Sequence, residues 1–335
     1  MTQSALPLAD EAPEAGGPPS AVVGTSLAAA SVADRIYTGV ITLFALCVPL
    51  LLLGLFLEVG AAGWPALKKF GFGFLFSSDW DPVREQFGVA PAIVGTLATS
   101  IVALVIATPL ALGVAIYIAE FAPTWLRTPI AFLVDLLAAI PSVVYGLWGI
   151  FVLVPIMRST VMPFLRDTLH LGATPFFAGP AYGPSVLTAG VILAIMALPY
   201  ISSVSREVLL AVPRTQREAA LALGATRWEA IRGAVLPYAR TGIIGGIILG
   251  LGRALGETMA VTMVIGNRHD LSASLFAPGY SIASLIANEF TEASGDLHLS
   301  ALMAAGFVLF VITLIVNAIA RWLVWQMAGG QRSVA

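Results

Sequence analysis

Residues 241–266 read TGIIGGIILGLGRALGETMAVTMVIG and carry no charge except on Arg253 and Glu257. A helix that crosses a lipid bilayer needs about 20 predominantly apolar residues. The stretch is therefore predicted to span a membrane, with Arg253 at its midpoint and near the bilayer centre. Because an arginine at that depth costs roughly 2.5 to 3.5 kcal/mol on insertion scales, its side chain is expected to face other helices or water.

Five further apolar runs accompany this stretch, at residues 36–57, 89–119, 129–157, 182–204 and 297–320. The whole chain is 58% hydrophobic and 11% charged, whereas about 25% of the residues in a soluble domain are charged. The apolar pattern is helical and lacks the alternation of an outer-membrane barrel. The predicted fold class is all-α, a polytopic integral membrane protein with six transmembrane helices.

The domain organisation follows from these runs. Residues 1–34 are predicted to be a disordered cytoplasmic tail, 35–327 the six-helix membrane domain, and 328–335 a short cytoplasmic tail. Arg35 directly precedes the first run, and the basic region that a secretory signal requires is missing, so this run is predicted to be retained. The connection 206–240 is rich in arginine, which places it and both termini in the cytoplasm by the positive-inside rule. The single cysteine, Cys47, excludes a disulfide framework.

That connection, residues 206–240, reads REVLLAVPRTQREAALALGATRWEAIRGAVLPYAR. Thr215 with Glu218, and Thr226 with Glu229, are capping-box patterns that each predict a helix start. Gly224 stands between them, where it can end the first helix in a left-handed turn. A helix–turn–helix is predicted, and Pro237 is expected to interrupt its second helix where the fifth span begins. A surface loop with two capped helices, which merely obeys the positive-inside rule, fits these residues equally well.

The same connection resembles the EAA loop of ABC-importer permeases. The match consists of Glu218-Ala219-Ala220, three residues, Gly224, nine residues, and then AVLP at 234–237, where the pattern prefers Ile in place of Ala234. In that family the first short helix docks in a cleft of the ATP-binding subunit. The resemblance implies an ATPase-coupling loop formed by Glu218, Ala219, Ala220, Gly224, Arg214, Arg217, Leu236 and Pro237.

Arg253 and Glu257 lie four residues apart and therefore on one face of a helix. One interpretation is that they neutralise each other and lock the packing of the helices. The other is an anion site, in which the guanidinium binds an oxyanion and the carboxylate orients the arginine. Glycines at 242, 246 and 250 allow close helix approach, and Gly252 and Gly256 flank the arginine. These flanking glycines favour a substrate pathway that contains Arg253, Glu257, Gly252 and Gly256.

Three segments resemble the C-subunit permease of the phosphate-specific ABC importers, the Pst system. They are DWDPVREQFGVAPAIVGTLATS at 79–100, IPSVVYGLWGIFVLVPIM at 140–157 and GLGRALGETMAVTMVIGN at 250–267, and the resemblance extends over about residues 35–327. It implies a type I ABC importer permease (MetI-like) fold in the bacterial cytoplasmic (inner) membrane. It also implies phosphate import by alternating access, for which Arg253 and Glu257 are needed. The implied partners are a second, homologous A-type permease, two copies of a cytoplasmic ATP-binding subunit and an outer phosphate-binding protein.

The energy source is expected to lie outside this chain. A phosphate-binding P-loop requires a Gly-Lys-Ser/Thr sequence, and the only lysines, Lys68 and Lys69, are followed by Phe70. No enzyme activity and no cofactor are therefore predicted, and ATP would be used by a partner subunit. A permease for another oxyanion, such as sulfate or molybdate, stays open. So does a proton-coupled secondary transporter with Asp135 and Glu257 as its relay.

Other polar residues in and near the spans receive structural interpretations. Asp135 is expected to be a hydrogen-bonded acid that faces the bundle, and Pro141 to bend the third span, with Ser142 as a possible oxyanion donor. The histidines are widely spaced in sequence and are predicted to be solvated loop residues rather than metal ligands; they are His170, His269 and His298. Residues 281–290 are predicted to form an amphipathic outer helix, which lies on the membrane surface or meets a binding protein.

Overall fold

The computed structural model describes residues 32–329. Residues 1–53 and 54–335 form two units by their internal contacts, and 32–53 is the described part of the first. It is helical, and its side chains from Asp34 onward are exposed. Most of the two predicted tails, 1–31 and 330–335, lies outside the described residues, so the predictions for the tails stay predictions.

The first half of the described chain begins with a long helix and continues through a short hairpin into two further spans. Its elements are α1 (Val32–Phe70), α2 (Gly73–Phe76), β1 (Trp80–Asp81), β2 (Gln86–Phe87), α3 (Ala90–Ile116), α4 (Thr124–Ala139), α5 (Ser142–Trp148) and α6 (Val154–Ile156). β1 and β2 pair antiparallel. A π turn, Tyr117–Phe121, extends α3, and α5 continues through π turns and α6 as far as Thr168.

The second half contains the connection between spans four and five and the last two spans. Its helices are α7 (Val186–Leu210), α8 (Arg214–Ala222), α9 (Arg227–Ala230), α10 (Leu236–Leu255), α11 (Met259–Val264), α12 (Ile282–Glu289) and α13 (Asp296–Gly329). A π turn, Ile231–Val235, joins α9 to α10.

Within residues 32–329, six helices are long and apolar enough to cross a bilayer, which confirms the predicted all-α, six-span class. They are Asp34–Phe70, Ala90–Phe121, Ser142–Thr168, Val186–Leu210, Arg227–Leu255 and Asp296–Gln326.

The third span differs from its predicted bounds, 129–157, because the helix is broken at Ile140 and Pro141. Pro141 has no N–H to donate to the carbonyl four residues earlier. The hydroxyl of Tyr145 donates to that carbonyl, on Leu137, at 2.8 Å instead. α4 therefore ends at Ala139, and the spanning helix begins at Ser142.

The fifth span also differs from its predicted bounds, 241–266. It begins at Arg227, and Pro237 does not interrupt it, contrary to expectation. The backbone N–H of Leu236 bonds to the carbonyl of Ile231, five residues back, which closes a π turn immediately before the proline. Pro237 follows as the second residue of α10, so the change of hydrogen-bond register at the π turn accommodates the proline within a continuous helix.

The most buried span is α7, which packs against α3 and α10. Small residues make this packing close, which matters in lipid because apolar burial between helices gains nothing from water there. On α10 they are Gly242, Gly246 and Gly250. A β-carbon at Gly242 would lie 2.6 Å from Val208, and one at Gly250 would lie 2.6 Å from Ile201. This face of α10 fits against α7 only because it has no side chains.

Candidate functional site

The fifth span stops at the pair that the sequence singled out. α10 ends at Leu255, and α11 starts anew at Met259. Glu257 lies in the break, and its side chain is only 4% exposed. Its carboxylate accepts a hydrogen bond from the N–H of Ala260 at 3.2 Å and pairs with Nη1 of Arg253. One buried carboxylate thus holds both the start of α11 and the arginine.

Arg253 lies in the last turn of α10, and 31% of its side chain is exposed. Tyr200 of α7 is a second hydrogen-bonding neighbour of the guanidinium. One turn earlier, Gly250 contacts Ile201 and Ala197. These residues lie at the middle of α7, Val186–Leu210, so Arg253 is level with the middle of the fourth span even though its own helix is not continuous there.

The breaks in spans three and five lie beside each other. A β-carbon at Gly146 of α5 would lie 3.1 Å from Cα of Ala260 and 2.5 Å from Sδ of Met263, so α5 and α11 touch closely. Each of these helices is the first to follow a break. Interrupted backbone at membrane depth is tolerated where it is buried in protein or lines a cavity. Of the residues at these breaks Glu257 is buried, whereas Pro141 and Gly256 are exposed in this chain.

A cavity of about 430 Å³ lies against the guanidinium of Arg253. Its polar lining comes from Tyr200, Asn317 and Arg321, and α10 contributes Gly245 and Gly252 among others. None of these three residues was predicted from the sequence to belong to the site. The signal that was available is the spacing of Asn317 and Arg321, four residues apart at the end of an apolar run.

The glycines of α10 and of the break differ in their surroundings. Gly252 and Gly245 have open space where a β-carbon would stand, and Gly256 would meet only the carbonyl of Gly252 at 3.6 Å. The two predicted pathway glycines, Gly252 and Gly256, are therefore not required for close packing. They leave the side of α10 around Arg253 bare.

The helix–turn–helix of the connection exists, with one difference at its start. α8 begins at Arg214 after Pro213 with no side-chain cap, so the predicted capping box at Thr215 is wrong. Thr215 is the second residue of α8 and not the residue before it, so its hydroxyl is not placed to cap the helix start. The second box, Thr226 with Glu229, is confirmed by reciprocal bonds of 2.7 and 3.3 Å. Gly224 has φ +87°, as predicted for a left-handed turn.

Arg217 points from α8 back toward the membrane spans. Its Nη2 donates to Oε1 of Glu120 at 2.7 Å and to the carbonyl of Leu209 at 2.7 Å, and Nη1 donates to the carbonyl of Val212 at 2.6 Å. The side chains of Arg217 and Glu120 are 21% and 12% exposed. Arg217 therefore ties α8 to the end of the second span. No sequence pattern indicates Glu120 as the partner of Arg217, because it lies 97 residues earlier.

The other predicted coupling residues have different environments. Arg214, Glu218, Ala219, Gly224 and Pro237 are exposed, and Ala220 and Leu236 are partly buried. The exposed members on α8 are Arg214, Glu218 and Ala219, and Arg214 lies on the same side of the helix as Arg217, three residues away.

One expectation for a polar residue is wrong. Asp135 was expected to face the bundle, but its side chain is 50% exposed and lies 3.9 Å from Nη2 of Arg206. α4 has no buried residues, so this acid meets the arginine at an open surface. Ser142 is partly buried in the first turn of α5.

The histidines divide into one that matches the prediction and two that do not. His170 is exposed, whereas His298 is buried and stacks on Phe87 at 5.2 Å between ring centroids. His269 stacks on Trp80 with an interplanar angle of 2°, and burial lowers the pKa of its imidazole. Aromatic stacking, which sequence spacing does not reveal, draws both into the fold. Among the described residues no group of three or more His, Cys, Asp or Glu could hold a metal ion.

The predicted outer helix at 281–290 is α12, capped by Ser281 and Ser284. Ile282 and Leu285 on it are fully buried, and α12 packs against α13. Its apolar face is therefore covered by the protein itself.

The chain is similar to known transport proteins over most of its length. Residues 111–328 match the family described as binding-protein-dependent transport system inner membrane component. A phosphate transport system permease protein PstC from Mesorhizobium japonicum is 49% identical, over 88% of this chain and 90% of that protein. The protein of the same name from Haemophilus influenzae is 47% identical, over 88% and 94%. A solved inward-facing MetNI methionine ABC transporter chain is 20% identical, with a TM-score of 0.46 over 71% of this chain and 94% of that chain, and adds nothing to the assignment.

The matched family region begins within α3 and includes the helix–turn–helix, the broken fifth span and the last span. It covers well over half of the chain, and the relatives extend the similarity to most of the remainder. The chain therefore belongs to the family of inner membrane components of binding-protein-dependent transport systems.

Proposed function

We propose that this chain is the C-type permease subunit of an ATP-driven importer and moves inorganic phosphate into the cell by alternating access. The observation that carries the proposal is Arg253, a partly exposed guanidinium level with the middle of the fourth span and open to a cavity. The curated relatives are named phosphate transport permeases, which favours phosphate over sulfate or molybdate and favours an importer over a proton-coupled transporter.

The geometry around Arg253 suits transient binding of an oxyanion. A guanidinium offers five N–H donors in a planar fork that matches phosphate oxygens. Glu257 takes the Nη1 side of that fork, and the remainder is left toward Tyr200 and the cavity. The paired carboxylate also lowers the net positive charge, so a bound anion is held weakly enough to leave. A transport site needs this balance, because an anion bound too tightly would not be released.

Coupling to ATP requires partners. The sequence has no P-loop, so two copies of a cytoplasmic ATP-binding subunit supply the energy through the exposed face of α8, where Arg214 and Glu218 stand. Movement of α8 passes inward through the bond from Arg217 to Glu120. A second, A-type permease completes the pathway, and an outer phosphate-binding protein delivers the anion.

The orientation belongs to the same proposal. The connection with α8 and both termini lie in the cytoplasm, and the chain resides in the bacterial inner membrane. Arginines in this connection support the orientation by the positive-inside rule; they are Arg206, Arg214, Arg217, Arg227, Arg232 and Arg240.

Reconstitution tests the function directly. The chain is placed in proteoliposomes with its permease partner, the ATP-binding subunits and the binding protein, and uptake of labelled phosphate is followed with and without ATP. We expect ATP-dependent uptake that excess phosphate competes away and that excess sulfate or molybdate does not. Competition by sulfate or molybdate at equal concentration would reassign the substrate. Uptake by the chain alone along a proton gradient would favour a secondary transporter.

A further inference from the structure

The cavity at Arg253 has a second cationic group, which the pathway described so far does not use. Arg321 lies near the end of α13 and lines the same cavity as Arg253, and Asn317 stands one turn before it on the same helix face. The amide of Asn317 donates to the carbonyl of Thr313 at 2.9 Å, which fixes its side chain along the helix. α13 thus presents an amide and a guanidinium to the space beside α10.

The cavity extends from Arg253 toward the connection that carries α8. Its lining on α10 runs from Arg253 back through Gly252 to Gly245, eight residues nearer the start of the helix. At 1.5 Å per residue this corresponds to about 12 Å along the axis. Both glycines face open space, so the wall on this side is bare backbone. An anion leaving Arg253 in that direction meets the face of α13 next.

We propose that Arg321, with Asn317, forms an inner oxyanion-binding step that receives phosphate from Arg253 before its release to the cytoplasm. This inference rests on the proposed function and adds a second position to the same route. Within the described residues, Arg321 offers a guanidinium like that of Arg253 but without an ion-paired acid. Within residues 32–329, the ion pairs of the structure include one for Arg253 but none for Arg321, whose guanidinium is left to attract the anion.

The ligand chemistry, a phosphate-type oxyanion, is shared by free phosphate and by the headgroup of an anionic lipid. We assign free phosphate to the site at Arg321, because the cavity reaches as far as Arg253 at the middle of the fourth span. A lipid headgroup at the helix end would engage Arg321 alone. The test therefore has one arm for each source.

The first experiment measures phosphate uptake by the reconstituted complex with Arg321→Gln, Arg321→Lys and, as the control, Arg35→Gln. Arg35 is an exposed arginine at the start of α1, so its replacement also removes one exposed positive charge. We expect Arg321→Gln to lower the maximal uptake rate about tenfold while half-saturation by the loaded binding protein is unchanged, and Arg321→Lys to recover part of the loss. Wild-type uptake rates in Arg321→Gln would overturn the inference and leave the proposed function intact. Absence of uptake by the wild-type complex would instead overturn the proposed function.

The second experiment locates the anion. Asn317→Cys is made in a Cys47→Ser background, and the rate of thiol modification by a small charged reagent is measured in detergent with inorganic phosphate, and in nanodiscs with or without phosphatidylglycerol. Ile315→Cys, at an exposed position two residues away on the same helix, is the matched control. We expect phosphate to slow modification at position 317 severalfold and to leave position 315 unchanged. Protection by phosphatidylglycerol alone, or no protection at all, would overturn the inference.

Discussion

Two arginine–glutamate pairs in this protein differ in how many N–H donors of the arginine already bond to the protein. Arg217 donates to Glu120 and to two backbone carbonyls, so its fork of donors is committed to the protein. Arg253 pairs with Glu257, has Tyr200 as its other neighbour, and faces a cavity. The first pair joins residues far apart in the chain, whereas the second joins residues four apart, one in the last turn of α10 and one in the break beyond it. An arginine that gives four of its five N–H donors to the protein stabilises the fold, and one with more free donors is available to a ligand.

The largest expected effect is on transport at the pair with free donors. Arg253→Ala should leave the complex assembled yet reduce phosphate uptake at least a hundredfold, because no other group replaces the guanidinium at the middle of the route. Arg253→Lys, which keeps the charge and loses the planar fork, should fall between. Uptake is measured in proteoliposomes, and assembly by co-purification of the subunits. Normal uptake by Arg253→Ala would remove this residue from the pathway.

The next effect is on stability at the committed pair. Arg217→Ala leaves Glu120 without its cation and removes the side-chain donor to the carbonyls of Leu209 and Val212. Removal of one partner from a largely buried pair costs about 3 kcal/mol. We expect a lower melting temperature of the detergent-solubilised chain and uptake that no longer follows ATP hydrolysis. Arg214→Ala, at an exposed arginine three residues earlier on α8, is the stability control and should melt as the wild type does. Equal melting of the two variants would show that Arg217 is not a structural group.

A smaller effect separates the two faces of α10 next to Arg253. Gly250→Ala places a methyl group 2.6 Å from Cγ1 of Ile201, so α7 must shift and the chain should melt at a lower temperature. Gly245→Ala meets open space and gains helix propensity of about 1 kcal/mol, so it should melt at the same or a higher temperature. Thermal unfolding of both variants in one detergent measures the difference. If Gly245→Ala proves the more damaging, the cavity face would have to be a packing surface.

The smallest effect concerns a group that, unlike either arginine, gains its charge only on acidification. Burial lowers the pKa of His269, which packs against Trp80 and Tyr280 with Asp270 and Glu289 nearby. The unfolded chain has the ordinary histidine pKa of about 6.5, so below that pH it binds a proton that the folded chain resists. Stability should therefore be complete above about pH 6.5 and decline as the pH falls toward 5.5.

Melting temperatures measured across this pH range test the expectation, with His269→Gln as the variant and His170→Gln, at an exposed histidine, as the control. His269→Gln should flatten the pH dependence, and His170→Gln should retain it. An unchanged slope in His269→Gln would assign the decline to other groups.

The features that could be predicted from the sequence are those set by residues close together in the chain. Six apolar runs, the capping box at Thr226 and the left-handed turn at Gly224 depend on neighbouring residues, and all are confirmed. The bounds of spans three and five were wrong because side chains replace backbone bonds at the breaks, which the pattern of apolar residues does not show. Tyr145 replaces the donor that Pro141 lacks, and the side chain of Glu257 caps the start of α11.

The candidate site follows the same rule. Arg253 and Glu257 stood out because charge is rare in a span and their spacing is helical. Glu120, Tyr200 and Arg321 did not, because each reaches its partner across the fold. The buried histidines were missed for a related reason, since aromatic stacking with Phe87 and Trp80 leaves no periodic trace.

The π turn before Pro237 joins α9 and α10 into one continuous helix, Arg227–Leu255. Twenty-nine residues at 1.5 Å each give a shaft about 40 Å long, from the α8 side to the break. Because no loop interrupts this helix, a rotation at one of its ends would also turn the other end. Since side chains stand about 5 to 6 Å from a helix axis, each 10° of rotation sweeps the guanidinium of Arg253 through about 1 Å. The break after Leu255 separates this helix from α11, so α10 can rotate while α11 remains packed against α5.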